Sequence, residues 1–168
     1  MGLRVVNVNL FCRQVDNVLR ILVAEAPDYP AGRNSGYCVV KRVDDGRTLL
    51  AFEVGTDPPD KFERHSQLAN EKADRLIQMY KSNGHKSSWY SRNEKEDKWG
   101  GAIICVIDGI QVAVSFSGLP EWADEALMLL AAASLNFIDR GDAGEIAMAS
   151  QNKNFFRLAT LPYFAQTV

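Results

Sequence analysis

The stretch Trp99–Ile138, WGGAIICVIDGIQVAVSFSGLPEWADEALMLLAAASLNFI, constrains the fold more than any other part of the chain. Gly100–Ile107 is apolar and rich in β-branched residues, as a buried strand is. Asp108-Gly109 follows, a dipeptide that accepts the positive φ of a tight hairpin turn. Beyond it the pattern alternates: Ile110, Val112, Val114 and Phe116 share one face, and Gln111, Ala113, Ser115 and Ser117 share the other. The first face suits packing on helices. The second is small and polar, so it faces solvent or floors a cleft. The chain then bends at Ser117-Gly118-Leu119-Pro120, and Pro120 suits the first turn of a helix. Glu121, Asp124 and Glu125 fall early in that helix, where its dipole favours carboxylates. Ala126–Ile138 is apolar almost all round and predicts a deeply buried helix, closed by Arg140 and a left-handed Gly141.

The rest of the chain supplies partners for this stretch. Val15, Val18, Leu19, Leu22 and Ala26 recur at helical spacing, so a first helix is expected over about Phe11–Ala26, ending before Pro27. Tyr37–Val43 and Arg47–Val54 flank Asp44-Asp45-Gly46 and form a second hairpin. Asp60, with Glu63 three residues on, reads as a capping box opening a second helix. That helix carries Phe62, Ala69, Ala73, Leu76 and Tyr80 on one stripe, and Arg64, Asn70, Glu71 and Arg75 on a solvated face. His85–Arg92 is expected to add an edge strand, and the polar run Asn93–Lys98 to form a mobile loop. The order predicts an α+β fold: a five-stranded antiparallel sheet flanked by helices in two or three layers.

Length and composition fit one domain over residues 1–168. A formal charge of −2 leaves no electrostatic footprint for nucleic acid. No apolar run is long enough to cross a membrane, and the N-terminal segment carries charges where a signal peptide would be apolar. Cys12, Cys38 and Cys105 are widely spaced in apolar contexts, as expected of reduced core thiols in a cytoplasmic protein. Residues 140–168 form a C-terminal extension with Phe155, Phe156, Leu158, Leu161, Tyr163 and Phe164. So much aromatic surface calls for a cover, either the chain's own domain or a partner subunit.

Two regions carry a family resemblance. The segment YCVVKRVDDGRTLLAFEVGTDPPDKFERHSQLANEKADRLI resembles the first half of GlcG/HbpS-like (DUF336) proteins, down to the pair Lys72-Ala73. Gly100-Gly101 entering a strand, then Ser115, Ser117-Gly118 and Asp124-Glu125-Ala126, resemble the second half. The likeness spans about residues 35–133. It implies a profilin-like sheet flanked by helices, a homo-oligomer, and in some members a bound heme or corrinoid. Ala102-Ile103 stands where such proteins carry a proline after the paired glycines, and no residue matches an axial heme ligand, so no cofactor is assigned.

The candidate site residues follow from these elements. His65, near the apolar stripe of the second helix, is either packed or aimed at the sheet as a ligand-binding or acid–base group. Glu121, Asp124 and Glu125 occupy adjacent helical positions, and either stabilise the helix end or act as a general base at a cleft. Gly100, Gly101 and Gly118, with Ser115 and Ser117, either relieve crowding or allow close approach of a ligand. An anionic ligand would take its charge from Arg33, Lys41, Arg42 or Arg64. No metal-ligand spacing and no nucleophile elbow occurs. The expected function is therefore a small-molecule-binding domain with its pocket between the second hairpin, the second helix and the bend at 117–125. The alternatives are an enzyme using the three carboxylates and an interaction protein assembling through its aromatic tail.

Overall fold

A computed structural model describes residues 2–165. Its elements are α1 (Val5–Glu25), β1 (Gly36–Arg42), β2 (Thr48–Val54), α2 (Pro59–Asn83), β3 (Ala102–Ile107), β4 (Ile110–Ser117), α3 (Glu121–Ser134), α4 (Arg140–Ala149), α5 (Lys153–Ala159) and α6 (Pro162–Ala165). The strands form one antiparallel sheet in the order β2-β1-β4-β3. Both Asp-Gly ribbons therefore join through their β1 and β4 members.

The sheet lies between two helical layers. On one face, Val40, Val112, Val114 and Phe116 join Phe11, Val15 and Val18 of α1 and Leu127 and Met128 of α3 in the main core. On the other, Val43, Ala102, Ile104 and Ala113 meet Ala73, Leu76 and Ile77 of α2. The small polar face of β4 is thus covered by a helix, because Ala113 and the serines let α2 approach closely. Helix α3 is apolar all round because it is wrapped. The sheet and α1 take one side of it, and Phe155 and Leu158 of α5 share its core on another.

Several elements differ from the sequence expectation. The described sheet has four strands, not five: segment 85–92 contributes only one bridge, Ser87 to Ile103, before a 3-10 turn over Ser88–Ser91. The Ser87 hydroxyl accepts from Trp89 N and the Ser88 hydroxyl accepts from Ala102 N, so side chains take the backbone partners that a strand would need. Helix α1 begins at Val5 rather than Phe11. Its first turn exposes Val5 and Val6, which hides it from any apolar periodicity, and Arg4 anchors it by donating backbone N and Nε to Asp108 at 2.7 and 2.8 Å. Helix α2 is capped at Pro58 with proline at its first position, so the Asp60–Glu63 box does not form. Arg140 and Gly141 open α4 rather than close α3. Helix α3 stops at Ser134, Asn136 takes a left-handed φ of 59°, and Asp139 accepts from Gly141 N at 2.7 Å.

The run 93–98 is pinned rather than loose: Asn93 and Lys98 pair across it, and Asp97 accepts from Arg64 and, at 2.8 Å, from Trp99 Nε1. The turn at Asp108-Gly109 has φ of 55° and 74°, the geometry the dipeptide predicted. In the C-terminal helices Phe155, Leu158 and Phe164 are buried in the main core, while Phe156 and Tyr163 remain exposed.

Candidate functional site

The end of β4, the first turn of α3 and one face of α2 converge on a buried ion pair. Lys72 and Asp124 are 2% and 3% exposed at their side chains, and Nζ lies 2.9 Å from Oδ2. Lys72 Nζ also donates to the Phe116 carbonyl at 2.9 Å, and Asp124 Oδ1 accepts from Leu119 N at 3.0 Å. One lysine thus ties helix α2 to strand β4, and one aspartate ties α3 to the bend. Burial pushes the Asp124 carboxyl up to about 6, against the pull of Lys72, the Leu119 N–H and Arg33. The carboxyl is ionised at neutral pH and takes up a proton under mild acid.

Gly101 makes this contact sterically possible. A Cβ there would sit 2.8 Å from Asp124 Cβ and 2.9 Å from Lys72 Nζ, and its φ of +125° excludes ordinary side chains. Gly118, at φ +144°, is required for a different approach: a Cβ there would come within 2.3 Å of the Ser35 carbonyl.

Above the ion pair opens a cleft of about 330 Å³. Helix α2 contributes Arg64, His65, Leu68 and Lys72; the bend contributes Ser117–Pro120; α3 contributes Glu121 and Asp124; Asp97 and Trp99 close one side and Arg33 the other. A narrower arm of about 140 Å³ shares Arg33, Arg64, His65 and Gly118 and runs to Gly32, Ser35, Asp57 and Lys61.

The residues singled out from sequence divide among several places. His65, Ser117, Gly118, Glu121 and Asp124 border the cleft. His65 Nε2 lies 3.7 Å from Asp57 Oδ2, and Asp57 also accepts from the Ser35 hydroxyl. Burial holds the His65 imidazole below its ordinary value, against the attraction of Asp57, so the ring is neutral at pH 7. Gly101 supports the cleft from beneath. Ser115 does not reach it, because its hydroxyl is buried and donates to the Ala69 carbonyl at 2.7 Å. Gly100 borders a separate hollow of about 70 Å³ with Trp89, Trp122 and Glu125.

The three carboxylates do not act as one group. Glu121 accepts both arms of Arg92 at 2.8 Å and the Gly100 N–H at 2.7 Å. Glu125 turns away and accepts from the hydroxyls of Ser87, at 2.7 Å, and Ser150, and from Asn152 Nδ2 at 3.1 Å. Burial raises its carboxyl above the ordinary value, and those three donors oppose the shift.

Of the four cations weighed for an anionic ligand, Arg33 and Arg64 border the cleft. Lys41 pairs with Asp74 and Arg42 with Asp45. Arg75, expected on a solvated face, instead ties α2 to the following loop: it holds Glu71, the Ser88 carbonyl and the Trp99 carbonyl. Asp57, Lys61 and Asp97 were not singled out; each lies in or beside a polar segment that reads as surface. Lys72 had one usable signal, a lysine set inside the stripe Ala69–Ala73–Leu76. Among the described residues no group of three or more His, Cys, Asp or Glu side chains is placed to hold a metal ion.

The sheet order and the two helical layers define an α+β domain with a cleft bordered by charged side chains at one end of the sheet. No family model matches the chain, and no curated protein matches it in sequence. The fold has counterparts among solved structures. The crystal structure of a PduOC–heme complex superposes with a TM-score of 0.52 at 14% identity, covering 83% of this chain and 96% of that one. HbpS gives 0.47 at 16% identity over 80% and 91% of the two chains. The Klebsiella pneumoniae protein ORFY, a DUF336 structure, gives 0.43 at 14% over 77% and 90%. The resemblance to GlcG/HbpS-like proteins holds at the level of fold.

Proposed function

We propose that this chain is a small-molecule-binding domain and that its ligand occupies the cleft above Lys72 and Asp124. The observation that carries this reading is the cleft itself. It is concave and bounded by α2, the end of β4 and the start of α3, and it combines the apolar surfaces of Leu68, Leu119 and Trp99 with a few polar groups, as ligand sites do. The fold neighbour in the PduOC structure was crystallised with heme, but the residues of this cleft do not fit that group. Its histidine, His65, has Nδ1 buried and Nε2 directed at Asp57, among the described residues no Cys, Met or Tyr borders the space, and charged side chains of Arg33, Arg64, Asp97 and Glu121 are set around it. A compact ligand with a few polar groups matches this wall better than a macrocycle whose metal needs an axial ligand.

A second reading rests on one observation, the Asp124 carboxyl raised toward neutrality at the cleft floor, where a general acid–base group would sit. Both of its oxygens are already engaged, by Lys72 and by Leu119 N, which favours an anchoring role.

Thermal melting of the full chain with hydroxy acids, dicarboxylates, inorganic phosphate and hemin tests the proposal. Stabilisation by at least one small polar compound, lost on filling the cleft with Ser117→Trp, is the expected result. Silence across the panel, together with a crystal structure in which the cleft is closed, removes it.

A further inference from the structure

We infer that the narrow arm of the cleft is an anion subsite, built to hold a carboxylate or phosphate group of the ligand through Arg33, with Lys61 beside it. This rests on the cleft being the binding site. The inference starts from how Arg33 is held. It belongs to the loop before β1, where a long side chain would ordinarily wander. Instead its carbonyl accepts from the Tyr29 hydroxyl, and its Nε donates to the Gly118 carbonyl at 3.0 Å. Tyr29 in turn packs edge-on against Trp122 in the first turn of α3, with ring centroids 6.0 Å apart. Gly118 is locked against Ser35 by the close approach described above. Arg33 is thus held at its backbone and its guanidinium at Nε, while among the described residues its two terminal nitrogens have no partner and no carboxylate lies within ion-pair distance of it.

The neighbouring charges support the same assignment. Lys61 borders the arm and is likewise unpaired among the described residues. Of the acidic groups nearby, Asp97 is paired with Arg64 and Glu121 with Arg92, while Asp57, which itself borders the arm, accepts from Ser35 and faces the neutral His65 ring and so keeps its charge. The cleft floor is balanced by the Lys72–Asp124 pair, and in the arm Arg33 and Lys61 outweigh Asp57, which leaves the surplus positive charge there. A guanidinium whose orientation is fixed before binding loses little entropy on accepting a planar carboxylate or a phosphate in a two-pronged contact. The neutral His65 ring is left to hydrogen-bond rather than to attract. Leu68 and Trp99 lie in the wider part of the cleft, so the ligand class is a small acid whose flat or apolar body trails from the anionic group.

The test is calorimetric titration of the full chain with benzoate, phenyl phosphate, inorganic phosphate and neutral benzamide at low and high salt. Benzoate or phenyl phosphate is expected to bind about tenfold or more tighter than benzamide, since a hydrogen bond to a charged group outweighs a neutral one. That advantage should shrink as salt is added. Arg33→Gln should abolish it, Arg33→Lys should retain part of it, and Lys61→Gln, which leaves the Gly118 contact intact, should reduce it. Inorganic phosphate binding as tightly as phenyl phosphate would assign the arm to the free ion. Equal binding of benzoate and benzamide, unchanged in Arg33→Gln, overturns the subsite and leaves the cleft standing as a neutral-ligand site. No binding by any of the four probes overturns both.

Discussion

Replacing Lys72 by methionine isolates the interaction on which the cleft floor depends. Methionine nearly preserves the length of the side chain but removes the ammonium. The Asp124 carboxylate is then left buried with only the Leu119 N–H and a distant Arg33 to stabilise its charge. Breaking a buried ion pair from one side costs about 3–5 kcal/mol, because the remaining charge is stranded rather than because the pair was strong. The pH dependence sharpens the expectation. In the wild type burial pushes the folded carboxyl up to about 6 from its ordinary 3.8, so the folded state binds more protons than the unfolded state between those values. Its contribution to stability is therefore greatest below the unfolded value and falls as pH rises through the folded one. In Lys72→Met the folded carboxyl titrates higher still, and the deficit should be large at pH 8 and small at pH 5, where the group is protonated. Urea unfolding at the two pH values measures this directly. The double variant Lys72→Met/Asp124→Asn should recover most of the pH 8 loss, since it removes the stranded charge. A loss below about 1 kcal/mol at pH 8, or no recovery in the double variant, would refute the argument that burial and pairing at this point hold α2, β4 and α3 together.

Three further outcomes follow from the geometry. Gly101→Ala combines a forbidden φ with a clash against Asp124 and Lys72, and should cost about 1–3 kcal/mol or more in chemical denaturation; a neutral effect would mean that the three groups are not in contact. Glu125→Gln should flatten the dependence of melting temperature on pH: the folded Glu125 carboxyl is raised above 4.5, so in the wild type its contribution declines as pH rises through the folded value, and an unchanged profile would show that Glu125 does not titrate in its buried site. Phe155→Ala should cost about 3–5 kcal/mol by urea unfolding if α5 completes the main core, whereas Phe156→Ser, on the exposed side of the same helix, should cost far less.

The parts of this fold that were legible in the sequence are those fixed by local chemistry. The Asp108-Gly109 turn, the alternation of β4 and the proline-led start of α3 each depend on residues within one short segment. The fifth strand failed because Ser87 and Ser88 satisfy the backbone from side chains, and nothing in HKSSWYSR distinguishes that from a polar edge. The end of α3 failed because Arg140-Gly141 matches a C-cap, and its actual role, behind the Asp139 cap, depends on Asn136 turning the chain earlier. The candidate site was legible in position but not in composition. Ser117 and Gly118 border it because they form the bend, and Asp124 floors it from the helix start that the bend leads into. Arg33, Asp57, Lys61 and Asp97 arrive from loops and a helix start whose polar sequences carry no spacing that would bring them together.

One consequence ties stability to the site. Lys72, Gly101, Asp124 and Gly118 hold the layers in register, and each lines or directly supports the cleft. A substitution at any of them disturbs packing and binding together, so loss of binding there says little about contact with a ligand. Arg33 and Lys61 differ in kind. Both are on the surface, and neither carries an ion pair among the described residues. Removal of Lys61 should leave the melting temperature nearly unchanged, and removal of Arg33 should cost about the 0.5–1.5 kcal/mol of its bond to the Gly118 carbonyl, so the arm is where a binding role can best be read apart from a structural one.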